Sequence, residues 1–395
     1  YEFESYVRAS GSFCVTGLTA FLRLLSLKKI KDWSKKKLLF VTSTEQNALR
    51  YQADLESLFD IKSEIFPYQN ASVYEGVNIN KYDYAKQISI LVDKPDLVIT
   101  PVKSLLEKFP DKKFFDKNKL SLKIGDEITQ KEMLNKLMEL GFKRSTMVND
   151  ISEFSIRGDI TDIYPLGDNP VRIEFWGDEI VDIRTFDRET QRSIEKGIKG
   201  IDIYPMYKFV LDGEIPDKFP KELKEQLEEE KYFEGIEVYQ SYFNNSLVSV
   251  FDYFKDYIVI FDEKSEIYTK YQFMEDACEE QYNENLKTQL IYELKERNHF
   301  SFSEFTNQLA PFVKIGFNNF LDSEFDDIID LNGQTVKSFN ADMDELAVYL
   351  ASHKDYEIII STNYQERVKE VLTTYEIFNV AYVDAISASG TIVDD

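Results

Sequence analysis

Between Glu153 and Ser193 the apolar residues recur at every second position, and that period decides what this part of the chain can become. In Glu153–Arg157, Phe154 and Ile156 share one face while Glu153, Ser155 and Arg157 share the other. In Val171–Trp176, Val171, Ile173 and Phe175 oppose Arg172, Glu174 and Trp176. Successive side chains of a strand point to opposite faces, so each run buries one face and turns the other outward. Arg157, Arg172 and Trp176 are therefore expected outside the core. Gly177-Asp178 reads as a tight hairpin turn in which glycine supplies the positive φ. Ile180 and Ile183 stand three apart instead of two, which predicts a bulge in the second arm. Asp168-Asn169-Pro170 is a further turn signal.

A helix is expected just before these strands. Thr129 and Glu132 form a capping box, with Ile128 and Met133 as its hydrophobic staple. Leu134, Leu137 and Met138 make an apolar stripe, and Gly141 after Leu140 is a C-terminal stop. Helix and strands together predict an antiparallel α+β domain over roughly 124–209.

The flanks have a different rhythm. Strands are expected at Phe13–Thr16, Lys37–Thr42, Lys62–Phe66 and Leu97–Pro101, with helices at Glu45–Phe59 and Tyr82–Leu91 among them. Short apolar runs separated by helices argue for βαβ units and a parallel sheet. The loop after the first strand, Val15-Thr16-Gly17-Leu18-Thr19-Ala20-Phe21, is where such a fold would cradle phosphates. That chemistry needs spaced glycines, a lysine and a hydroxyl, and no lysine follows Gly17 until Lys28. Later, Lys221–Lys231 reads as a charged helix, Tyr257–Phe261 as a buried strand followed by Asp262-Glu263, and Lys264 to about Asn298 as one or two polar helices. The strand with its Asp-Glu end resembles an ATPase magnesium site but lacks a lysine-bearing partner loop. Asp322–Asp330 reads as an acidic linker. A last α/β unit follows, with helices Met343–Ser352 and Tyr364–Tyr375 and strands Glu357–Ser361 and Asn379–Val383.

Composition removes several functions. A formal net charge of −24 repels phosphate backbones and argues against unaided nucleic-acid binding. Two distant cysteines, Cys14 and Cys278, with His299 and His353 as the whole histidine complement, exclude a disulfide framework and a Cys/His zinc cluster. No apolar run approaches the roughly 18 residues of a membrane span. These features fit a cytoplasmic protein with no membrane partner. The 71 acidic residues do not by themselves make a carboxylate hydrolase, which needs two placed acids with separated pKa values. A chain that opens on Tyr1 instead of Met is expected to be either a processed protein or a piece of a longer one.

The runs Leu140-Gly-Phe, Glu153-Phe-Ser-Ile-Arg-Gly-Asp-Ile, Asp162-Ile-Tyr-Pro, Val171-Arg-Ile-Glu-Phe-Trp-Gly-Asp-Glu-Ile, Ile183-Arg, Phe186-Asp and Thr190-Gln-Arg-Ser, in this order and spacing, resemble the second domain shared by bacterial transcription-repair coupling factors (Mfd) and the excinuclease component UvrB. The flanks are similar to the same family more loosely. Residues 1–123 look like its first α/β subdomain, 210–330 like the segment that returns to complete it, and 335–395 like the small α/β domain that follows in coupling factors. The resemblance implies an α/β fold: a degenerate nucleotide-binding (RecA-like) parallel-sheet domain in two chain segments, an inserted antiparallel α+β domain, and a small C-terminal α/β domain. UvrB needs an intact phosphate loop and a tyrosine-rich hairpin that grips damaged DNA. This chain has neither, so the N-terminal region of a coupling factor is the better match. The alternative is part of a UvrB-type ATP-dependent excinuclease or helicase.

The resemblance also implies a role. Such a module is non-catalytic, holds no cofactor of its own, and binds the excinuclease component UvrA, recruiting it to RNA polymerase stalled at DNA lesions in nucleotide excision repair. By motif position the contact residues are Arg157, Arg172 and Trp176, where Trp176 replaces the family's usual phenylalanine. RNA polymerase, DNA, ATP and magnesium belong to other parts of the full-length protein, including its translocase motor. Composition alone leaves room for Trp176 to cover the sheet against a neighbouring domain. It also leaves room for Arg157 and Arg172 to pair with Glu174 or Glu153.

Overall fold

The structure is a computed structural model that describes residues 2–9, 11–69, 74, 80–167, 169–211, 213, 215–322, 324–339, 342–383 and 390–393. The Asp168 part of the Asp168-Asn169-Pro170 turn lies outside the described residues. The largest element is a parallel sheet of seven strands, in the spatial order Ile328–Asp330, Phe13–Thr16, Lys314–Phe317, Ile258–Asp262, Leu38–Thr42, Leu97–Pro101 and Glu64–Ile65. Every neighbouring pair in it is parallel. Its strands come from both ends of the chain, so two segments separated by the alternating stretch build one sheet.

Parallel sheets need cover on both faces, and the central strands of this one are mostly apolar. Leu38, Phe40, Leu97, Ile99, Ile258 and Ile260 pack on one side with residues of the helices Ala20–Ser34 and Glu45–Phe59. Leu39, Val41, Val98, Val259 and Phe261 pack on the other with residues of Lys81–Asp93, Lys264–Lys287 and Phe302–Leu309. Lys264–Lys287 is a single helix. Ile328–Asp330 corrects the linker reading of 322–330: it is an edge strand beside Phe13–Thr16 in which Ile329 alone is buried, too short and acidic to show a period.

The inserted domain is closed at its base. Leu120–Lys123 on the way in pairs antiparallel with Gly200–Ile203 on the way out. Between them, six strands in the order Ser193–Lys196, Glu179–Phe186, Val171–Trp176, Ile160–Ile163, Glu153–Arg157 and Lys143–Arg144 form a sheet. It is antiparallel except for its last pair, which runs parallel. Helix Gln130–Glu139 packs on it through Met133 and Leu137, started by the Thr129–Glu132 capping box; Met138 is exposed. Gly141 follows with φ +88, the left-handed conformation a helix stop requires.

Several contacts lock this domain to the parallel-sheet body. The Tyr232 hydroxyl donates to Glu139 O at 2.6 Å, and that of Tyr84 to Pro205 O at 3.3 Å. Buried Lys208 pairs with buried Glu107, which also accepts from Gln87 at 2.7 Å. The C-terminal unit is small: strands Ile358–Ser361 and Val380–Val383 pair in parallel against helices Met343–Ala351 and Gln365–Thr374. Among the described residues no helix is long and apolar enough to cross a membrane.

Candidate docking surface

Strand pairing sets a row of polar side chains across the outer face of the inserted sheet. Ser155 stands opposite Asp162, Asp162 opposite Arg172, and Arg172 opposite Arg184. Directly opposed residues lie close enough for side chains to interact, and in this row Asp162 and Arg172 form an ion pair. Arg172 Nε donates to Asp162 Oδ1 at 2.7 Å and its Nη2 to Asp162 Oδ2 at 2.9 Å, a two-pronged grip. Arg157 Nη2 donates to the same Oδ2 at 2.6 Å. The two guanidiniums roof the carboxylate so completely that the Asp162 side chain has no exposure, while Arg157 remains 52% exposed.

Arg172 is the more buried arginine, with its guanidinium 4.6 Å from the centre of the Phe186 ring. Arg184, opposite Arg172, is held instead by Glu174 at 2.9 Å and by Asp182. Glu153 accepts from the main-chain N–H groups of Asn149 and Asp150. The acids suggested by sequence as arginine partners, Glu174 and Glu153, are thus engaged elsewhere, and Asp162 holds both Arg157 and Arg172. Ser155 shares the outer face but is buried, its hydroxyl donating to Thr146 O.

Trp176 sits at the end of this face. Phe175 before it is buried, and Gly177 after it turns the chain at φ +66. The indole is 81% exposed, so it does not cover the sheet against a neighbouring domain. The bulge expected from Ile180 and Ile183 is present: Glu174 faces Asp182 and Phe175 faces Ile180, leaving Val181 without an opposite residue. Re-aimed by the bulge, Val181 is also exposed. Trp176 thus leaves an exposed aromatic ring at one end of the face that carries Arg157 and Arg172, and exposed Trp and Arg are residue types enriched at protein-binding hot spots.

Sequence reasoning places the arginines and Trp176 on the outer face, where they are. It misses Asp162 and Arg184. The signal for Asp162 is available, since it is the acid on the outer face of Ile160–Ile163.

The loop after the first strand is closed by the chain itself. Gly17 adopts φ +63, and a Cβ there would lie 2.2 Å from Asp330 Oδ1 and 2.6 Å from Asn332 N. Gly17 O accepts from Gly333 N at 2.9 Å. Thr19 caps the following helix by accepting from Leu22 N, and its hydroxyl meets that of Thr391. Residues 330–333 and Thr391 thus pack against this loop and the start of the following helix.

Residues 120–209, which span the inserted domain, match the family model of the UvrB interaction domain. The transcription-repair-coupling factor of Staphylococcus aureus (strain MRSA252) is 28% identical over 285 residues, covering 64% of this chain and 24% of that protein. That of Staphylococcus haemolyticus (strain JCSC1435) is 28% identical over 288 residues, with the same coverage. The chain spans about a quarter of the length of the curated relatives it matches.

Proposed function

We propose that this chain is a non-catalytic module of a transcription-repair coupling factor, and that its inserted domain recruits UvrA to RNA polymerase stalled at DNA lesions. The observation that carries the reading is the Arg157–Asp162–Arg172 clamp on the same outer face as an 81% exposed Trp176, within a stretch that matches the UvrB interaction domain model. A rigid face of this kind suits a partner offering carboxylates and an apolar notch. In this reading 1–123 and 210–330 form the scaffold, 335–395 a separate small domain, and the protein acts in the cytoplasm. RNA polymerase, DNA, ATP and magnesium are handled by other parts of the full-length protein.

Calorimetric titration with UvrA tests it. Saturable binding to the wild type, lost in the combined Arg157→Ala, Arg172→Ala, Trp176→Ala variant, is the expected result; unimpaired binding by that variant would sink the assignment. A UvrB-type ATP-dependent enzyme is the competing reading. It requires nucleotide at the Gly17 loop, and the packing of Asp330, Asn332 and Gly333 there speaks against it. A fluorescent ATP analogue is expected to show no saturable binding.

A further inference from the structure

In the loop between the strands Lys314–Phe317 and Ile328–Asp330, Phe320 is 84% and Leu321 76% exposed. The backbone is held on both sides of this pair. Before it, buried Asn318 accepts from Lys264 N at 3.1 Å, and its own N–H donates to Val15 O at 3.0 Å. Asn319 accepts from Arg23 Nη2 at 2.9 Å, and its N–H donates to Glu263 Oε2 at 3.1 Å. After it, the buried Lys264 ammonium bonds Asp322 at 3.4 Å and also Glu324. The same ammonium lies 4.7 Å from the centre of the buried Phe325 ring.

Two adjacent large apolar side chains are thus presented to water by an anchored loop. A segment already fixed in place loses little freedom on docking, which favours contact. The charge around it states what the contact needs. From Asn318 to Val336 there are five acids, Asp322, Glu324, Asp326, Asp327 and Asp330, and no lysine or arginine. All of them but Asp322 are exposed. The complement is an apolar pocket with lysine or arginine at its rim. Like charge argues against nucleic acid, and against a second copy of a chain of net charge −24. Size decides where such a pocket lies. Stable contacts between separate proteins bury roughly 1,200–2,000 Å², more than a two-residue plug supplies. A pocket on the same polypeptide needs far less, because a tether holds it at roughly millimolar effective concentration. We propose that Phe320 and Leu321 pack into a basic-rimmed apolar pocket on another domain of the full-length polypeptide. This rests on the coupling-factor reading, in which the relatives extend well beyond the matched stretch.

None of these residues lies in 120–209, so loss of UvrA binding and loss of this contact are read separately. The test compares the 395-residue chain with the full-length protein, each carrying Leu321→Cys at an exposed position. Maleimide labelling of that cysteine is followed by peptide mass spectrometry. It should be at least about tenfold slower in the full-length protein. Adding Asp326→Lys and Asp327→Lys should restore most of the rate, because the reversed loop repels a basic rim. Equal rates in the two proteins would overturn the proposal, and so would slow labelling that the charge reversal leaves unchanged. Labelling of the 395-residue chain that slows as its concentration rises from roughly 1 to 100 µM would make a second copy the occupant, and would overturn it too.

Discussion

Arg172 and Asp162 stand directly opposite one another on adjacent antiparallel strands, joined by two hydrogen bonds of 2.7 and 2.9 Å. The fully buried carboxylate serves as the shared counter-charge for Arg172 and Arg157, and it determines how both are presented.

Removing that charge should therefore act on stability and on recognition together. Asp162→Asn leaves Arg172, 15% exposed, without its counter-charge, and breaking such a pair by removing one partner costs about 3 kcal/mol. Urea unfolding should show the loss. UvrA affinity should fall by about tenfold, because the arginines must then be ordered on binding. A variant as stable as the wild type would mean that the Phe186 ring and the surrounding sheet suffice to hold Arg172.

How much of this is legible in the sequence follows from which interactions are local. The alternation from Glu153 to Trp176, the capping box at Thr129 and Glu132, and the three-residue step from Ile180 to Ile183 are read within a few positions, and all three are in the structure. The choice of Asp162 over Glu153 or Glu174 as the arginine partner depends on strand register, which no short window contains. Arg23 meets Asp262 across 239 positions, so nothing near either residue announces the pair. Ile328–Asp330 is hidden for another reason: an edge strand with one buried residue looks like an acidic loop.

Gly141 and Gly177 both have positive φ, yet they should not tolerate alanine equally. At Gly177 a Cβ would meet nothing within 4 Å, so Gly177→Ala carries only the conformational cost, about 1 kcal/mol. At Gly141 it would lie 2.7 Å from the Tyr207 ring, which is stacked on Tyr232 at 4.4 Å. Gly141→Ala should be the more destabilising of the two, as measured by the shift of the urea midpoint. Equal shifts would show that the Tyr207–Tyr232 stack yields freely.

His299 should give the fold an acid-sensitive step. It is buried, its Nδ1 is 2.7 Å from the Tyr74 hydroxyl, and burial pushes its pKa down from 6.5 to about 4. Glu279 beside it favours the charged form, whereas Lys108 and Arg297 oppose it. Between pH 6.5 and 4 the unfolded chain binds a proton here that the native chain refuses, so stability falls as pH falls through that window. His299→Gln keeps a hydrogen-bonding side chain near Tyr74 and removes the titration. Its stability should vary with pH less steeply there, by roughly one proton's worth of slope. Parallel stability curves for variant and wild type would contradict this.

Trp176 offers the sharpest separation of folding from recognition. At 81% exposure the indole contributes little to packing, so Trp176→Ala should change stability by no more than about 0.5 kcal/mol. If the face docks UvrA, the same substitution should weaken binding by about 2 kcal/mol, close to thirtyfold. Trp176→Phe restores an aromatic ring at the hairpin end and should recover most of that affinity. Thermal unfolding paired with calorimetric titration distinguishes the outcomes. Lost binding with unchanged stability identifies Trp176 as a contact, and unchanged binding by Trp176→Ala would move the docking surface away from this hairpin.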